Sequence, residues 1–373
     1  MPDPPFDAFR YAHERRREVV WMSQNTNHLV PPTVIAGAVA EAIRERRYEG
    51  YPYAPGDPEL KRLVLSDLGF PSDWGVHIAA GGTEGLYALE RALLAPGDEV
   101  IASDPSYLII HKFVELAGAH TRNLDIYAPP FRLTPDRVQE AITARTRMIL
   151  LIDPLNPLGS GYPAADVRAI AEIAKDRGLI LVNDVTYRDF ADQHELAART
   201  APEQTLTVWS AAKNCGLAGM RIGGLAATPA LLRRVLPFNT NDLGVNVLAQ
   251  VAAVAALRTK SDWFPAVKAT TRANQETIRR AVAEVPGASL PVFPSQANMF
   301  AIDIAETGLA PEALQQELLV HHGVFVRAGN YLSPKFGARF VRASFSNPPA
   351  EVERFARAFP EAVAKLRAKP VAA

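Results

Sequence analysis

The sequence predicts an α/β protein with a doubly wound, mostly parallel sheet and a smaller α+β domain formed by both chain ends. Four short runs are apolar without alternation, as in strands that are covered on both faces. These runs are residues 99–102, 147–152, 179–182 and 205–209. Helical segments lie between them, near residues 107–117, 134–143 and 163–176. The alternation of strands with helices predicts a parallel sheet that has helices on both faces.

The two ends of the chain show a different pattern. Residues 263–284 predict a long amphipathic helix, and a second helix is predicted near residues 311–321. Short β-rich runs accompany these helices, which is an α+β pattern. We therefore predict three parts. They are an N-terminal segment of residues 1–45 that packs with the small domain, a large domain of residues 46–262, and a small C-terminal domain of residues 263–373.

Composition limits the classes of function. The 40 Lys and Arg residues balance the 40 Asp and Glu residues, so no overall basic field favours nucleic acid. The single cysteine, Cys215, excludes an intrachain disulfide and a cysteine-based metal site within one chain. The longest aliphatic region, residues 243–257, is too short and too polar to span a bilayer and indicates a buried helix. With no secretory signal in view, we expect a cytoplasmic protein without nucleic-acid, membrane or metal partners.

Polar residues follow each of the four predicted strands. They form four clusters, at residues 103–107, 153–159, 183–187 and 210–213. In an open α/β sheet the carboxyl ends of the parallel strands share one edge, and ligands bind outside that edge. The four clusters therefore predict a single site. By contrast, the basic run at residues 15–17 has acidic neighbours and is typical of a solvated helix face.

The side chains in these clusters suggest the groups of the ligand. Asp184 ends a buried strand and needs a cationic partner, such as a protonated ring nitrogen. Asn156 and Tyr187 can both donate a hydrogen bond to a phenolate oxygen, and Tyr107 offers a flat face for stacking. Lys213, which stands at a strand end, can form a Schiff base with an aldehyde.

A second group of residues suits a phosphate. Ser210 and Arg221 can bind it, and so can the backbone of Gly82 and Thr83 if these residues open a helix. The glycine-rich residues 81–85 lack the Gly-x-Gly-x-x-Gly spacing of dinucleotide sites, and no convincing strand is predicted before them. A ring with a protonated nitrogen, a phenolate oxygen, an aldehyde and a phosphate is pyridoxal phosphate.

From about residue 20 to residue 365 the sequence resembles the fold-type-I pyridoxal-phosphate enzymes of the class I/II aminotransferase family. The most specific match is residues 210–223, which fit Ser-x-(Ser/Ala)-Lys followed after eight residues by Arg-x-Gly. The resemblance implies that Lys213 carries the cofactor and that Ser210 and Arg221 bind its phosphate. Residues 184–190 and 294–298 are similar to the histidinol-phosphate aminotransferase-like branch.

The same resemblance implies further site residues. Tyr51 matches a tyrosine that reaches the phosphate of the other subunit, which implies a homodimer with shared active sites. Arg342 matches the arginine that binds the α-carboxylate of the substrate. Residues 25–28 match a segment that lies over the substrate, so Asn25 and His28 are candidate contacts. This segment reads Asn-Thr-Asn-His where the branch has Asn-Glu-Asn-Pro.

We therefore predict transamination of an amino acid with a 2-oxo acid through a Schiff base on Lys213, with Lys213, Asp184 and Tyr187 as catalytic residues. Decarboxylation, elimination and cyclisation remain alternatives because they would use the same cofactor residues. A nicotinamide-dependent dehydrogenase is a distant alternative. Tyr331 and Lys335 have the Tyr-x-x-x-Lys spacing of short-chain dehydrogenases, but the intervening proline disfavours the helix that this spacing needs.

Overall fold

The structure, a computed structural model, describes residues 6–368. Its strands are β1 (Val20–Trp21), β2 (Gly75–Ala79), β3 (Glu99–Asp104), β4 (His120–Asp125), β5 (Thr146–Ile152), β6 (Ile180–Asp184), β7 (Thr205–Ser210), β8 (Gly223–Ala227), β9 (Met299–Asp303), β10 (Val324–Phe325), β11 (Arg327–Ala328) and β12 (Phe340–Ser344). Its α-helices are α1 (Ala8–Glu14), α2 (Thr33–Arg44), α3 (Pro58–Leu68), α4 (Gly82–Leu93), α5 (Ile109–Leu116), α6 (Pro135–Ala141), α7 (Ala164–Arg177), α8 (Pro229–Val235), α9 (Val247–Arg258), α10 (Lys260–Ala283), α11 (Pro311–His322) and α12 (Pro349–Ala368).

A seven-stranded sheet forms the centre of the molecule, in the order β2-β8-β7-β6-β5-β3-β4. Only β8 runs antiparallel to its neighbours in this sheet, and the other adjacent pairs are parallel. The four apolar runs are β3, β5, β6 and β7, whose core residues are buried on both faces. The predicted α/β class with a mostly parallel sheet is thus confirmed.

Three strands of this sheet did not stand out in the sequence. β4, at one edge, has mostly exposed or half-buried residues, so it lacks an apolar run. β2, at the other edge, carries the polar His77 in its centre, and β8 is short and rich in small residues. The expectation that no strand precedes residues 81–85 is therefore wrong, because β2 ends at Ala79 and α4 begins at Gly82.

The turn between β2 and α4 requires glycine. Gly81 has φ +91°, a conformation that L side chains rarely adopt, and a Cβ there would lie 2.6 Å from Nη2 of Arg221. This glycine lets the chain reverse sharply from the edge strand into α4. The amino terminus of α4 is thereby placed at the carboxyl edge of the sheet, next to β7.

A second body of structure is built around a three-stranded antiparallel sheet in the order β11-β12-β9. Its core contains large apolar side chains of α12, such as Phe355 and Phe359, together with Phe300 and Phe345. The N-terminal β1 pairs in parallel with β10, whereas α2 packs against α9. The division into residues 1–45, 46–262 and 263–373 stays a prediction.

The aliphatic region at residues 243–257 contains α9, whose alanines are largely buried. Within residues 6–368, none of the helices has the length and apolar character needed to cross a membrane.

Candidate active site

A cavity of about 980 Å³ opens at the carboxyl edge of the central sheet, between that sheet and the segment that carries β12. It is bordered by nearly all the residues that the sequence singled out. Those in its wall are Asn25, His28, Gly82, Thr83, Tyr107, Asn156, Asp184, Tyr187, Ser210, Lys213, Arg221 and Arg342. The exception is Tyr51, whose surface is 81% exposed and which does not border the cavity.

Asp184, the last residue of β6, places a buried carboxyl group in the wall of the cavity. Its Oδ1 accepts a hydrogen bond of 3.0 Å from the backbone N–H of Thr186. It forms no ion pair with any residue of the described range 6–368. Because burial disfavours its charged form, the pKa of Asp184 is raised. A cationic ligand group would reverse this effect.

Lys213 lies three residues after the end of β7 and borders the same cavity. Its Nζ donates a hydrogen bond of 2.7 Å to the backbone carbonyl of Gln24. Burial of the amine, followed by the positive charges of Arg342 and Arg221, lowers the pKa of Lys213 to about 7. At neutral pH a large fraction of this amine is therefore unprotonated, as a nucleophile or a general base must be.

Tyr187 and Asn156 present hydrogen-bond donors to the cavity. The Tyr187 hydroxyl accepts a hydrogen bond of 2.9 Å from Nδ2 of Asn25. Burial raises the pKa of Tyr187, so its hydroxyl keeps its proton and can donate it. The side-chain oxygen of Asn156 accepts a bond of 2.7 Å from Arg342, which leaves its Nδ2 as a donor.

The amino end of α4, Ser210 and Arg221 together border one corner of the cavity, where an anion could be bound. Helix α4 directs unpaired backbone N–H groups outward from Gly82 and Thr83. The Arg221 guanidinium donates to the carbonyl of Ala80 at 3.3 Å, which holds it beside this helix end. The Thr83 hydroxyl also lies 3.3 Å from the hydroxyl of Tyr107, so Tyr107 is anchored next to the same corner.

Several polar atoms around Arg342 lack hydrogen-bond partners among the described residues. The guanidinium of Arg342 donates to Asn156 and to the carbonyl of Ser23, but its Nε is buried without a hydrogen-bond partner in the described chain. Ser23 Oγ and Asn25 Oδ1 are buried and unpartnered in the same way. All of these residues border the cavity. Since buried polar atoms are normally satisfied, this group indicates a polar ligand.

Sequence reasoning missed a second arginine of the cavity. Arg327 in β11 lies directly opposite Arg342 in β12, in an antiparallel pair. Its guanidinium lies between two rings, 4.4 Å from the centroid of Phe9 and 3.9 Å from that of Tyr331. It forms no ion pair within residues 6–368. Only the register of two short strands brings these arginines together, so no local pattern could have shown it.

The basic run at residues 15–17 does not lie on a solvated helix face as the sequence analysis predicted. Helix α1 ends at Glu14, so Arg16 and Arg17 lie in the following turn and not on a helix face. Both border the cavity.

The dehydrogenase interpretation finds no support in the geometry either. Tyr331 ends a short 3₁₀ turn, and Lys335 forms an ion pair with Asp125 outside the cavity wall.

Comparisons with known proteins show which family this chain is similar to. The family model for aminotransferase class I and II matches residues 17–359. A histidinol-phosphate aminotransferase of Mesorhizobium japonicum is 30% identical over 359 residues, which are 93% of this chain and 90% of that protein. The arginine–pyruvate transaminase of Pseudomonas aeruginosa is 30% identical over 265 residues, 69% of this chain and 67% of the relative. An aspartate/prephenate aminotransferase of Thermus thermophilus is 30% identical, with 86% of each chain covered.

Solved structures show the same fold. A crystal structure of an aminotransferase from Mycobacterium tuberculosis superposes with a TM-score of 0.85 at 23% identity and covers 98% of both chains. Aspartate aminotransferase from Thermus thermophilus with maleate gives a TM-score of 0.81 at 24% identity, covering 96% of this chain and 97% of that structure. The family match spans most of the sequence and agrees with the resemblance found there. The chain is therefore a member of the class I and II aminotransferase family.

Proposed function

We propose that this aminotransferase uses pyridoxal phosphate bound to Lys213 to exchange the amino group of an amino acid with a 2-oxo acid. One observation carries the proposal. The cavity holds a buried carboxyl group, Asp184, that has no cation among residues 6–368, and a half-buried amine with a lowered pKa, Lys213. A ligand with a protonated ring nitrogen and an aldehyde would satisfy both residues.

The other cavity residues fit the rest of this cofactor. Ser210, Arg221 and the start of α4 at Gly82 and Thr83 would hold the phosphate. Tyr107 would stack on the ring. Asn156 and Tyr187 would donate to the phenolate oxygen. When bound, pyridoxal phosphate supplies an aldehyde for covalent attachment and a ring that accepts the electrons left by removal of the α-proton.

The protein side chains would then move and direct protons. The carboxylate of Asp184 would favour a protonated ring nitrogen. The amine of Lys213 would accept the α-proton of the substrate, for which a pKa near neutrality is suited. Arg342 would bind the α-carboxylate and thus set the direction of the Cα–H bond. Asn25 and His28 would cover the substrate from the N-terminal segment.

The substitution Asp184→Asn tests the electrostatic role. It keeps the shape of the side chain but cannot hold a proton on the ring nitrogen. We expect retention of much of the cofactor and a fall of kcat by at least ~10²-fold, by analogy with loss of a preorganised polar group. The measurement is transamination with a panel of amino acids, each product being identified by mass.

The exposed Asp136 of α6 gives the matched control, since Asp136→Asn should leave kcat unchanged. A near-wild-type rate for Asp184→Asn would refute the role of this carboxylate. Products that have lost carbon dioxide or the side chain would instead favour decarboxylation or elimination over transamination.

The arginine pair supports a substrate class. Like charges directly opposite each other in a sheet repel, and neither Arg327 nor Arg342 has a carboxylate partner within residues 6–368. Burial and the charge of Arg327 lower the pKa of Arg342 to about 10. If the substrate α-carboxylate neutralises Arg342, a second anionic group is needed beside Arg327. The preferred amino acid therefore carries a carboxylate or a phosphate on its side chain.

This preference predicts the result for Arg327→Gln. Hydrogen bonds to a charged group contribute about 1.5–3 kcal/mol, so kcat/KM for acidic amino acids should fall roughly 10- to 10²-fold. The values for asparagine and glutamine should change little. Aspartate and glutamate test a carboxylate, and O-phosphoserine tests a phosphate. Arg234→Gln, on the exposed face of α8, is the control. If the ratio of kcat/KM for the acidic amino acids to kcat/KM for their amides is the same in Arg327→Gln as in the wild type, this assignment is wrong.

An exposed apolar surface supports a homodimer. Tyr51, Tyr53, Leu236, Phe238 and Leu243 are each at least 44% exposed. The two loops that carry them touch, because a Cβ on Gly244 would lie 3.1 Å from Cα of Ala54. One loop also reaches the cavity end of α4, where the Thr240 hydroxyl donates to Glu84. We infer that a second copy of the chain covers this surface and that Tyr51 contacts the cofactor phosphate bound in the partner subunit.

The cytoplasm is the proposed compartment.

Mixing two inactive variants tests the shared site. Tyr51→Ala and Lys213→Ala each remove one component, which should come from different subunits of the same site. Heterodimers should regain one intact site and a measurable part of the activity. If subunit exchange is demonstrated and no activity returns, Tyr51 does not serve the neighbouring subunit.

A further inference from the structure

Four charged side chains form a cluster beneath the cavity, defined here as Asp67, Arg188, Asp189 and Lys260. Their side chains are 12–24% exposed. Nζ of Lys260 lies 2.7 Å from a carboxylate oxygen of Asp67 and 2.7 Å from one of Asp189. Arg188 contacts both carboxylates as well. The cluster thereby joins α3, α10 and the segment that follows Tyr187.

Asp189 extends this cluster to the lysine of the site. Its Oδ2 accepts a hydrogen bond from Nδ2 of Asn214, the residue that directly follows Lys213. The Asn214 side chain also accepts from the backbone N–H of Cys215 at 2.8 Å, so the whole turn is fixed. Asp189 itself lies two residues after Tyr187. One carboxylate therefore connects the segment of Tyr187 with the turn of Lys213.

The same line of contacts reaches the segment over the substrate. The backbone carbonyl of Asn214 accepts a hydrogen bond of 3.1 Å from Nδ2 of Asn27. Asn27 in turn accepts from the N–H of Leu29 at 3.1 Å. Both asparagines are buried, at 7% and 6% exposure. Residues 25–28 thus rest on the turn that Asp189 holds.

We propose that Asp189 is a positioning residue for Lys213. Through Asn214 it holds the amine of Lys213 in the cavity. Through Asn214 and Asn27 it also fixes the position of residues 25–28 over the cavity. This inference rests on the proposed function, since it assigns a task toward the lysine that carries the cofactor. Nothing in the local sequence pattern around Asp189 shows the contact, which joins residues 25 positions apart.

The charge of Asp189 suits this task. Burial opposes its ionisation, but the positive charges of Arg188 and Lys260 outweigh that effect and hold the pKa of Asp189 below its usual range. These charges favour the carboxylate form, which accepts from Lys260 and Asn214 together. An amide at this position would leave two cations against the single carboxylate of Asp67, and it would offer a weaker acceptor.

Loss of the contact has a readout that is separate from activity. The nitrogen at Lys213 has a lowered proton affinity because it is buried and because it faces Arg342 and Arg221. Asp184, Tyr187 and Tyr107 are further titratable groups that border the cavity, and so are His13, His28, Tyr331 and Glu351. The arginines of the same wall are Arg16, Arg17, Arg221, Arg327 and Arg342. In the holoenzyme the same nitrogen would link Lys213 to the cofactor, and burial and the charges of Arg342 and Arg221 would also disfavour its protonated form there. If the turn moves this nitrogen toward water, we expect its pKa to rise.

The experiment is a pH titration of the holoenzyme, followed by the visible absorption of the bound cofactor, which changes when the nitrogen linking it to Lys213 loses its proton. We expect the midpoint to rise by about 1 pH unit in Asn214→Ala and in Asp189→Asn. We also expect kcat to fall by ~10²-fold, since a shift of ~1 Å in the reacting group is sufficient. Asp189→Glu should restore part of both properties.

Asn123→Ala in β4 and Asp136→Asn in α6 are exposed matched controls and should titrate as wild type does. If Asp189→Asn does not fold, Asn214→Ala decides, because it breaks the contact without unbalancing the charges. A wild-type midpoint in folded Asn214→Ala would overturn the inference while leaving the proposed function intact. A wild-type protein that binds no cofactor would overturn both.

Discussion

The site depends on charged groups that have no oppositely charged partner among residues 6–368. Asp184 lies buried at the end of β6 without a cation from these residues, whereas Lys213 and Arg342 border the same cavity without an ion-pairing anion from them. Unpaired burial of a charge is unfavourable by several kcal/mol, so groups respond by shifting their pKa values. Asp184, Lys213 and Arg342 come from or follow three different strands, β6, β7 and β12, and Asp184 forms no ion pair with either cation. A ligand that carries both signs of charge would therefore complete the site.

The topology explains how one edge of the sheet gathers these groups. Strands β3, β5, β6 and β7 are parallel, so their polar C-terminal residues meet at one edge. Strand β8 runs in the opposite direction, and the turn that leads into it brings Arg221 beside the start of α4. Arg342 comes from the separate sheet of β9, β11 and β12, which closes the cavity from the other side.

Sequence reasoning succeeded where the signal was local. Strands buried on both faces appear as continuous apolar runs, and the residues near Lys213 carry a specific spacing, so most of the cavity wall could be predicted. It failed at the sheet edges, where β2 and β4 have polar or exposed residues. It also missed Arg327 beside Arg342, which depends on the register of two short strands. The contact of Asp189 with Asn214 depends on tertiary packing in the same way.

The central claim is that Lys213 is the point of covalent attachment of the cofactor. Its most direct test is reduction of the purified protein with borohydride in the presence of pyridoxal phosphate, followed by proteolysis and mass spectrometry. We expect one modified peptide, which contains Lys213 and carries the mass of the reduced cofactor. An unmodified protein, or attachment to a different lysine while Lys213 remains free, would contradict it.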